Sequence, residues 1–247
     1  MFATRRRDQP VMTMPPRSSR FHAPFAMREA MVQVCHALAA RQLIAGQDGN
    51  VSVRVSADRL LVTPAGFSKA LIDPDDLVEV SLAGALLAGR HRASSELGLH
   101  LVAYRTRADV TAVVHAHPVA ATAFTLVGEG IPDGVLAELM LTVGAVAVAP
   151  YAQPGTDELG RVVAPLFVHH DVVLLAHHGA VALGRTLQEA HFAMESLEHG
   201  ARMIHLARQL GRVVTLDPAA CDALRAARFG ARHDAATSAA LKETGND

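Results

Sequence analysis

The 247-residue chain is poor in the residues that mark several protein classes. Its two cysteines, Cys35 and Cys221, form no CxxC pair, which excludes a disulfide framework and favours a reducing cytoplasmic compartment. Tryptophan is absent and aromatic residues make up only 4%, so a base-stacking surface for nucleic acid is not expected. Lysine plus arginine (23) nearly equals aspartate plus glutamate (24), which excludes a strongly basic nucleic-acid footprint. No apolar run approaches the roughly 20 residues of a membrane span. We therefore expect neither a nucleic-acid nor a membrane partner.

Apolar residues and histidines are abundant instead. Half of the residues are hydrophobic, enough for a large buried core, and this excludes disorder of the whole chain. The length corresponds to about one large domain. The 14 histidines are the compositional outlier, and their positions carry most of the functional signal.

Three segments are expected along the chain. Residues 1–23 are basic and contain proline and serine but no apolar stretch of a secretory signal, which predicts a flexible N-terminal extension. A transit peptide and an upstream start codon are the other interpretations of this segment. Residues 24–215 are expected to form one domain. Residues 216–247 are rich in alanine and arginine at first, which predicts a C-terminal helix followed by a polar tail.

Hydrophobic periodicity indicates an α/β fold. Helices are expected at residues 25–45, 94–108, 117–127, 154–168 and 186–210. Strands are expected at residues 51–55, 60–63, 77–82, 110–115, 143–149, 171–176 and 179–183, the first two as a hairpin and the first of them half-buried. Because hairpins are interspersed with helices, the pattern favours a central, antiparallel-rich sheet flanked by helices over a purely parallel sheet.

Two histidine pairs follow apolar strands. His115 and His117 alternate in an extended segment, so both imidazoles can face one metal ion. His177 and His178 follow another buried strand, and one of them would complete a site with three nitrogen ligands and an open position. The alternative is two unconnected pairs that are satisfied by backbone hydrogen bonds.

A serine pair and an acid open the predicted helix at 94–108. Helix N-termini attract anions, so Ser94 and Ser95 could hold a phosphate. Glu96 would be a plausible proton-transfer base if it lay near a dication. Ordinary N-capping of a helix explains the same three residues without any ligand.

Taken together, an ordered set of motifs resembles the class II aldolase/adducin family, and within it the fuculose-phosphate-aldolase and 5-deoxypentulose-phosphate-aldolase branch. The matching segments span about residues 27–210. They are Gly49-Asn50-Val51-Ser52, Thr63-Pro64-Ala65-Gly66, Ser94-Ser95-Glu96, Val114-His115-Ala116-His117, Ala149-Pro150-Tyr151, Gly155-Thr156 and His177-His178-Gly179.

This resemblance implies a three-layer fold, a homotetramer with sites between subunits, and a sugar-phosphate substrate. It implies one divalent metal ion per subunit, most often Zn²⁺ with Mn²⁺ or Co²⁺ as alternatives, held by His115, His117 and His178. Glu96 matches the general base. The positions that match the phosphate site are Asn50, Gly66, Ser94 and Ser95.

Several positions depart from the family pattern. Ala65 stands where a threonine is common, which leaves only the backbone N–H as a donor, and Asp48 places a carboxylate near the phosphate loop. Lys69 could supply a compensating cation there, although a solvated surface position is the simpler interpretation. Leu136 stands where the fuculose-phosphate enzyme has its tyrosine acid, so the acid for the leaving group is unassigned.

These observations predict a metal-dependent aldolase that cleaves a short ketose 1-phosphate to dihydroxyacetone phosphate and an aldehyde. An epimerase, dehydratase or decarboxylase of a related sugar phosphate is the alternative. Related epimerases tend to carry aspartate at the position of Glu96, and a decarboxylase needs a cation such as Lys69. A non-enzymatic scaffold is the third hypothesis, and the intact histidine positions argue against it.

Overall fold

The computed structural model describes residues 20–228. Residues 1–19 and 229–247 lie outside this range, so the predictions for the extension and the polar tail fall largely there. The helices are α1 (Phe25–Ala40), α2 (Leu97–Thr106), α3 (Val119–Leu126), α4 (Ala137–Thr142), α5 (Asp157–Phe167) and α6 (Leu187–Leu210). The strands are β1 (Asn50–Ser56), β2 (Arg59–Val62), β3 (Val78–Ser81), β4 (Leu86–Ala88), β5 (Ala112–Ala116), β6 (Ala147–Ala149), β7 (Val172–Leu175) and β8 (Gly179–Gly184).

One eight-stranded sheet organises the domain, in the order β4-β3-β2-β1-β5-β8-β7-β6. All neighbouring pairs are antiparallel except the β6–β7 pair at one edge. The predicted α/β class with an antiparallel-rich sheet is therefore confirmed.

Helices cover both faces of the sheet and create two apolar cores. The side chains of β7 alternate between them, with Val172 and Leu174 in one core and Val173 and Leu175 in the other. Helices α1, α3, α4 and α6 contribute to the first core, and α2 and α5 to the second. This is the three-layer arrangement, and each apolar strand residue finds a helix to bury it.

Burial on both faces corrects one expectation. The period-two pattern at β1 predicts a half-buried strand, yet Asn50 to Val53 are all buried. Val51 and Val53 pack in the first core, whereas Ser52 points towards Tyr104 of α2. Helix α2 therefore covers the polar position Ser52, whereas the strand becomes exposed at its far end, at Ser56.

Several predicted boundaries also shift. The first helix ends at Ala40 and not at residue 45, because Gln42 adopts a left-handed conformation with φ 58°. The serines at the start of α2 precede the helix, which begins at Leu97 with Glu96 as its N-cap residue. Helix α4 was not predicted, and only residues 147–149 of the expected strand at 143–149 are extended. Residues 218–228 are helical, and the rest of the predicted C-terminal segment lies outside the described residues.

Within residues 20–228, none of the helices has the length and apolar character that crossing a bilayer would require.

Candidate metal centre

Three histidines from two distant parts of the chain meet at one point. His115 is the fourth residue of β5, His117 follows that strand, and His178 lies in the tight turn between β7 and β8. One ring nitrogen from each lies within 4.8 Å of the others. Because β5 pairs directly with β8, the strand ends that carry the two motifs are adjacent. The sheet topology thus brings together two histidine motifs that are about sixty residues apart in the sequence.

The carboxylate of Glu96 completes the cluster. Its Oε2 lies 3.1 Å from His115 Nε2, and its Oε1 lies 3.4 Å from His178 Nε2. Asn50 Nδ2 also donates a hydrogen bond to Oε2, at 3.0 Å. Asn50 and His115 face each other across the β1–β5 pair, so the register of these strands fixes both contacts.

Glycine is required beside this cluster at residue 179. A Cβ atom at Gly179 would lie 2.7 Å from Cδ2 of His117 and 2.5 Å from the backbone oxygen of Ala116. Residue 177 turns the chain immediately before it, with a positive φ of 58°. The His-His-Gly sequence therefore allows β8 to approach the His117 ring closely while His178 faces inwards.

Hydrogen bonds on the far sides of the rings orient two of the histidines. His115 Nδ1 is 2.9 Å from the Ala180 carbonyl, which can only accept, so Nδ1 carries the proton. His117 Nδ1 lies 3.5 Å from Asp48 Oδ2, and its Nε2 lies 3.2 Å from His115 Nε2. Carbonyl or carboxylate partners of this kind fix the ring orientation of metal-binding histidines.

The protonation states suit a metal site. Burial, together with neighbouring His115, lowers the pKa of His178 to about 4. Burial likewise lowers the pKa of His117. Burial acts to raise the pKa of Glu96, but a proton on the facing nitrogen of His115, positive charge on His115 and His178, and the Asn50 hydrogen bond outweigh it, so the net pKa lies well below its usual range. A bound cation would take the place of that proton and charge. Neutral imidazoles and an ionised carboxylate are the forms that bind a cation.

The hydrogen bonds and distances within the cluster also fit a divalent ion. With the proton of His115 on Nδ1, its bare Nε2 faces Glu96 Oε2 and the Nε2 of His117. Electron-rich atoms this close need a positive charge between them, supplied by a second proton or by a metal ion. Buried Glu96 Oε1 makes no hydrogen bond among the described residues, which leaves it free for a ligand. Three imidazoles with one further position are typical of catalytic zinc sites.

Three of the residues expected to bind phosphate, Gly66, Ser94 and Ser95, lie along two adjacent backbone segments near this cluster, whereas Asn50 is buried at the start of β1. An isolated bridge joins Pro64 to Ala93, and Ser94 N donates to the Thr63 carbonyl, so Gly66 and the serine pair lie on neighbouring chains. Gly66 and Ser95 are exposed, whereas Ser94 Oγ accepts from the Glu96 N–H. The backbone N–H of Ala65 donates to the Arg92 carbonyl, so it is not the remaining donor that the sequence suggested.

Lys69 is buried, which contradicts its interpretation as a solvated surface lysine. Only 3% of it is exposed, and its Nζ donates to the carbonyls of Gln47 (2.8 Å) and Phe67 (3.0 Å). Burial lowers its pKa, and the nearby charges of Asp48 and Glu96 act in the opposite direction. The ammonium group therefore joins the loop before β1 to the loop after β2, at the residue that follows Gly66.

Sequence reasoning missed a buried residue next to this site. His100 contacts Asn50 and Ser52, and it lies one helical turn after Glu96 on α2. The spacing of four residues, which places two side chains on the same helix face, was the signal that could have found it.

Most of the chain has relatives among known proteins. Residues 29–205 match the family described as Class II Aldolase and Adducin N-terminal domain. The chain belongs to the class II aldolase and adducin family. The resemblance inferred from the ordered motifs is thereby confirmed, and membership supports a lyase-type enzyme of the aldolase or decarboxylase kind that acts on a sugar phosphate.

Relatives with two different activities have similar identity to this class II aldolase family member. The L-fuculose phosphate aldolase of Methanococcus vannielii is 34% identical over 176 residues, which are 71% of this chain and 93% of that protein. The 3-oxo-tetronate 4-phosphate decarboxylase of Escherichia coli O6:H1 is 32% identical over 186 residues, 73% of this chain and 87% of that protein. A solved L-fuculose 1-phosphate aldolase has 30% identity and a TM-score of 0.77, covering 83% of this chain and 97% of its own.

Two side chains bear on the missing acid of this family member. Leu136 is the N-cap residue of α4 and packs against the first apolar core, so it offers no proton. Tyr151 is 61% exposed, and its ring centroid lies 6.5 Å from that of His177. Among the described residues, Tyr104 is the other tyrosine, and it is buried under β1.

Proposed function

We propose that this protein is a metal-dependent aldolase that reversibly cleaves a short ketose 1-phosphate to dihydroxyacetone phosphate and an aldehyde. The observation that carries the proposal is the contact of the Glu96 carboxylate with His115 (3.1 Å) and His178 (3.4 Å) inside the three-histidine cluster. A base beside a cation site is the combination that aldol chemistry without a lysine Schiff base needs.

His115, His117 and His178 would hold the ion, with Zn²⁺ proposed and Mn²⁺ or Co²⁺ as alternatives, one per subunit. When bound, a divalent ion supplies a Lewis acid for the carbonyl and hydroxyl oxygens of the substrate. No residue of the chain needs to form a covalent bond with the substrate.

Glu96 is the proposed general base. In the direction of synthesis it takes a proton from the hydroxyl-bearing carbon next to the ketone, and in cleavage it returns that proton to the same carbon. Its low pKa keeps it ionised, and Asn50 and the histidines hold its two oxygens at the cluster. The group that exchanges a proton with the oxygen of the aldehyde fragment is not assigned to a residue.

Gly66, Ser94, Ser95 and Asn50 are the proposed phosphate contacts, together with Lys69. The support is the adjacency of the 64–66 and 92–94 segments and the position of the serines before α2. Lys69 would act through its charge and through the loops it joins, since its Nζ already donates to two carbonyls. Binding of the remote phosphate would orient the ketone for reaction.

We further propose a cytoplasmic homotetramer in which residues 24–215 form the catalytic domain. Support for assembly comes from α3, which follows His117 and exposes Val119 (63%) and Val127 (70%) at its two ends. Val119 is two residues after His117, so a subunit that covered this end of α3 would lie beside the cluster.

A decarboxylase of a sugar-acid phosphate on the same site is the second candidate. Two observations support it: the 32% identity to the decarboxylase relative, and a leucine instead of a tyrosine at position 136. Decarboxylation releases CO₂ and needs no group that exchanges a proton with an aldehyde oxygen, whereas aldol cleavage must take the proton from the hydroxyl that becomes the aldehyde.

Product analysis separates the two candidates. Metal-loaded protein would be incubated with fuculose 1-phosphate, 5-deoxypentulose 1-phosphates and a 3-oxo-tetronate 4-phosphate. We expect dihydroxyacetone phosphate from a ketose phosphate, detected by a coupled NADH assay. Decarboxylation of the 3-oxo-tetronate 4-phosphate also leaves dihydroxyacetone phosphate, so the substrate that yields it decides. Dihydroxyacetone phosphate released with CO₂ from the 3-oxo-tetronate 4-phosphate, and none from the ketose phosphates, would reject the aldolase in favour of the decarboxylase, and epimerised substrate would reject both.

A further inference from the structure

A buried line of polar side chains leads away from Glu96 beneath the sheet. It comprises Asn50, His100, Ser52 and Tyr104, each no more than 4% exposed. His100 and Tyr104 project from α2, and Asn50 and Ser52 from β1. We refer to these four residues and Glu96 as the buried hydrogen-bond chain.

Its contacts are short and continuous. Asn50 Nδ2 lies 3.0 Å from Glu96 Oε2, and Asn50 Oδ1 lies 2.5 Å from His100 Nε2. His100 Nδ1 lies 2.6 Å from Ser52 Oγ, which in turn lies 2.8 Å from the hydroxyl of Tyr104. Each side chain uses its polar atoms on its neighbours in the chain.

The direction of every hydrogen bond follows from the ionised carboxylate at one end. Glu96 can only accept, so the amide nitrogen of Asn50 must face it and the amide oxygen must face His100. His100 must then carry its proton on Nε2, and its bare Nδ1 accepts from the Ser52 hydroxyl. The Ser52 oxygen in turn accepts from Tyr104, whose own oxygen is near the backbone N–H of Val113.

His100 is the member that decides this orientation. The two ends of a carboxamide have nearly the same shape, so sterics alone do not stop Asn50 from turning over. An inverted amide would point its oxygen at the Glu96 carboxylate and repel it. The proton on His100 Nε2 prevents that, and burial lowers the pKa of His100 to about 3, which keeps the ring neutral.

We propose that His100 is a positioning residue of this enzyme: it fixes the Asn50 carboxamide and thereby aims the Glu96 carboxylate at the histidine cluster. In the contacts described, His100 reaches Glu96 and the predicted phosphate residues only through Asn50. Where turnover is the measurement, the inference rests on the proposed function, so its test includes a measurement that needs no turnover.

The kinetic test compares two substitutions at one position. His100→Phe fills the space without a donor, whereas His100→Gln keeps an N–H close to the position of Nε2. We expect H100F to lower kcat roughly 10- to 100-fold with a smaller change in KM, since the metal ligands, Gly66 and the two serines remain and only Asn50 is disturbed. H100Q should restore most of the kcat. Bound metal should stay equal to that of the parent in both.

His191→Phe is the matched control, because His191 is a buried histidine of α6 whose Nε2 pairs with Glu195 instead. H191F should keep parental kcat. The proposal is overturned if H100F retains kcat within twofold of the parent, since His100 would then have no role in turnover. It is also overturned if H100Q is as slow as H100F or if H100F loses its metal, since both outcomes indicate a structural role only.

A nitrogen NMR measurement tests the same inference without catalysis. In ¹⁵N-labelled parent protein we expect His100 to carry its proton on Nε2 and to have a bare Nδ1 at neutral pH, and H100F should lose the exchange protection of the Asn50 side-chain amide. A proton on Nδ1, or an unchanged Asn50 amide in H100F, would overturn the proposal. If no substrate is turned over by the parent, the proposed function fails while this measurement still decides the role of His100.

Discussion

Asn50 and His115 occupy facing positions on β1 and β5 and contact the same oxygen of Glu96, at 3.0 and 3.1 Å. One contact is a hydrogen-bond donor and the other is a ring nitrogen of the proposed metal site. The carboxylate is thus held by an amide on one strand and directed at a cation site by the next. Strand register, and not the conformation of a flexible loop, sets the distance between the proposed base and the cluster.

Replacing Glu96 by glutamine should abolish turnover while leaving the metal in place. The amide keeps the shape of the side chain but cannot take a proton at neutral pH, so we expect kcat to fall by about 10²- to 10⁴-fold. Metal content, measured by mass spectrometry of the purified variant, should match the parent because the three histidines are intact. Activity close to that of the parent would show that another group is the base.

Removing the metal should inactivate and destabilise the protein. Ligand-bound states gain stability by mass action, so chelation should lower both activity and the melting temperature, and adding back one equivalent of Zn²⁺, Mn²⁺ or Co²⁺ per subunit should restore them. His178→Asn should reproduce the loss, and His169→Asn, at an exposed position, should not. A chelated protein that keeps both properties would exclude the metal site.

Placing a methyl group at residue 179 should damage the cluster without touching a ligand. The Cβ of Gly179→Ala would lie 2.7 Å from the His117 ring and 2.5 Å from the backbone of Ala116, so the ring has to move. We expect metal affinity to fall at least tenfold in a competition titration with a chelating dye. Gly98→Ala is the control, since a Cβ at Gly98 meets nothing within 4 Å.

How much of this could be anticipated differs between the fold and the site. The buried strands and long helices were predictable because β-branched runs and helical spacing are local signals. Helix α4 was missed because its apolar residues occupy so short a segment. The three histidines of the cluster could be predicted because the motifs follow the order of a known family. Their proximity depends on the pairing of β5 with β8, which no single segment of the sequence determines.

The role of Lys69 shows where sequence reasoning fails. Lysine is usually exposed, and nothing local predicts that this ammonium group finds the carbonyls of Gln47 and Phe67. The same holds for Ala65, whose N–H is used by a carbonyl from another loop. Both contacts belong to the tertiary structure, because they depend on which loops meet at the ends of the strands.

The carboxylate of Glu198 offers a stability prediction next to the site. Buried on α6, it accepts from the N–H groups of Ala120 (3.1 Å) and Ala121 (3.0 Å) in the first turn of α3, which follows His117. Glu198→Ala would leave these donors without an acceptor and remove a favourable charge from the helix N-terminus, at a cost of about 1–3 kcal/mol in urea unfolding. Glu198→Gln should lose less, because its amide oxygen still accepts, and equal losses would show that packing dominates.

The pH dependence of stability should reveal His100. Burial lowers its pKa from 6.5 to about 3, so the unfolded chain takes up a proton below about pH 6.5 while the folded protein does not. Stability from this residue is therefore fully present above pH 6.5 and is lost as the pH falls, at about 1 kcal/mol per pH unit down to about pH 3. His100→Gln removes the titrating group. As the pH falls through this window, the parent should therefore lose unfolding free energy relative to H100Q. His191→Gln serves for comparison at a second buried histidine, because burial also lowers the pKa of His191 while Glu195 acts to raise it. A difference between parent and H100Q that stays constant from pH 7 to pH 4 would contradict the prediction. It would mean that His100 takes up its proton at the same pH in the folded protein as in the unfolded chain, despite its burial against β1.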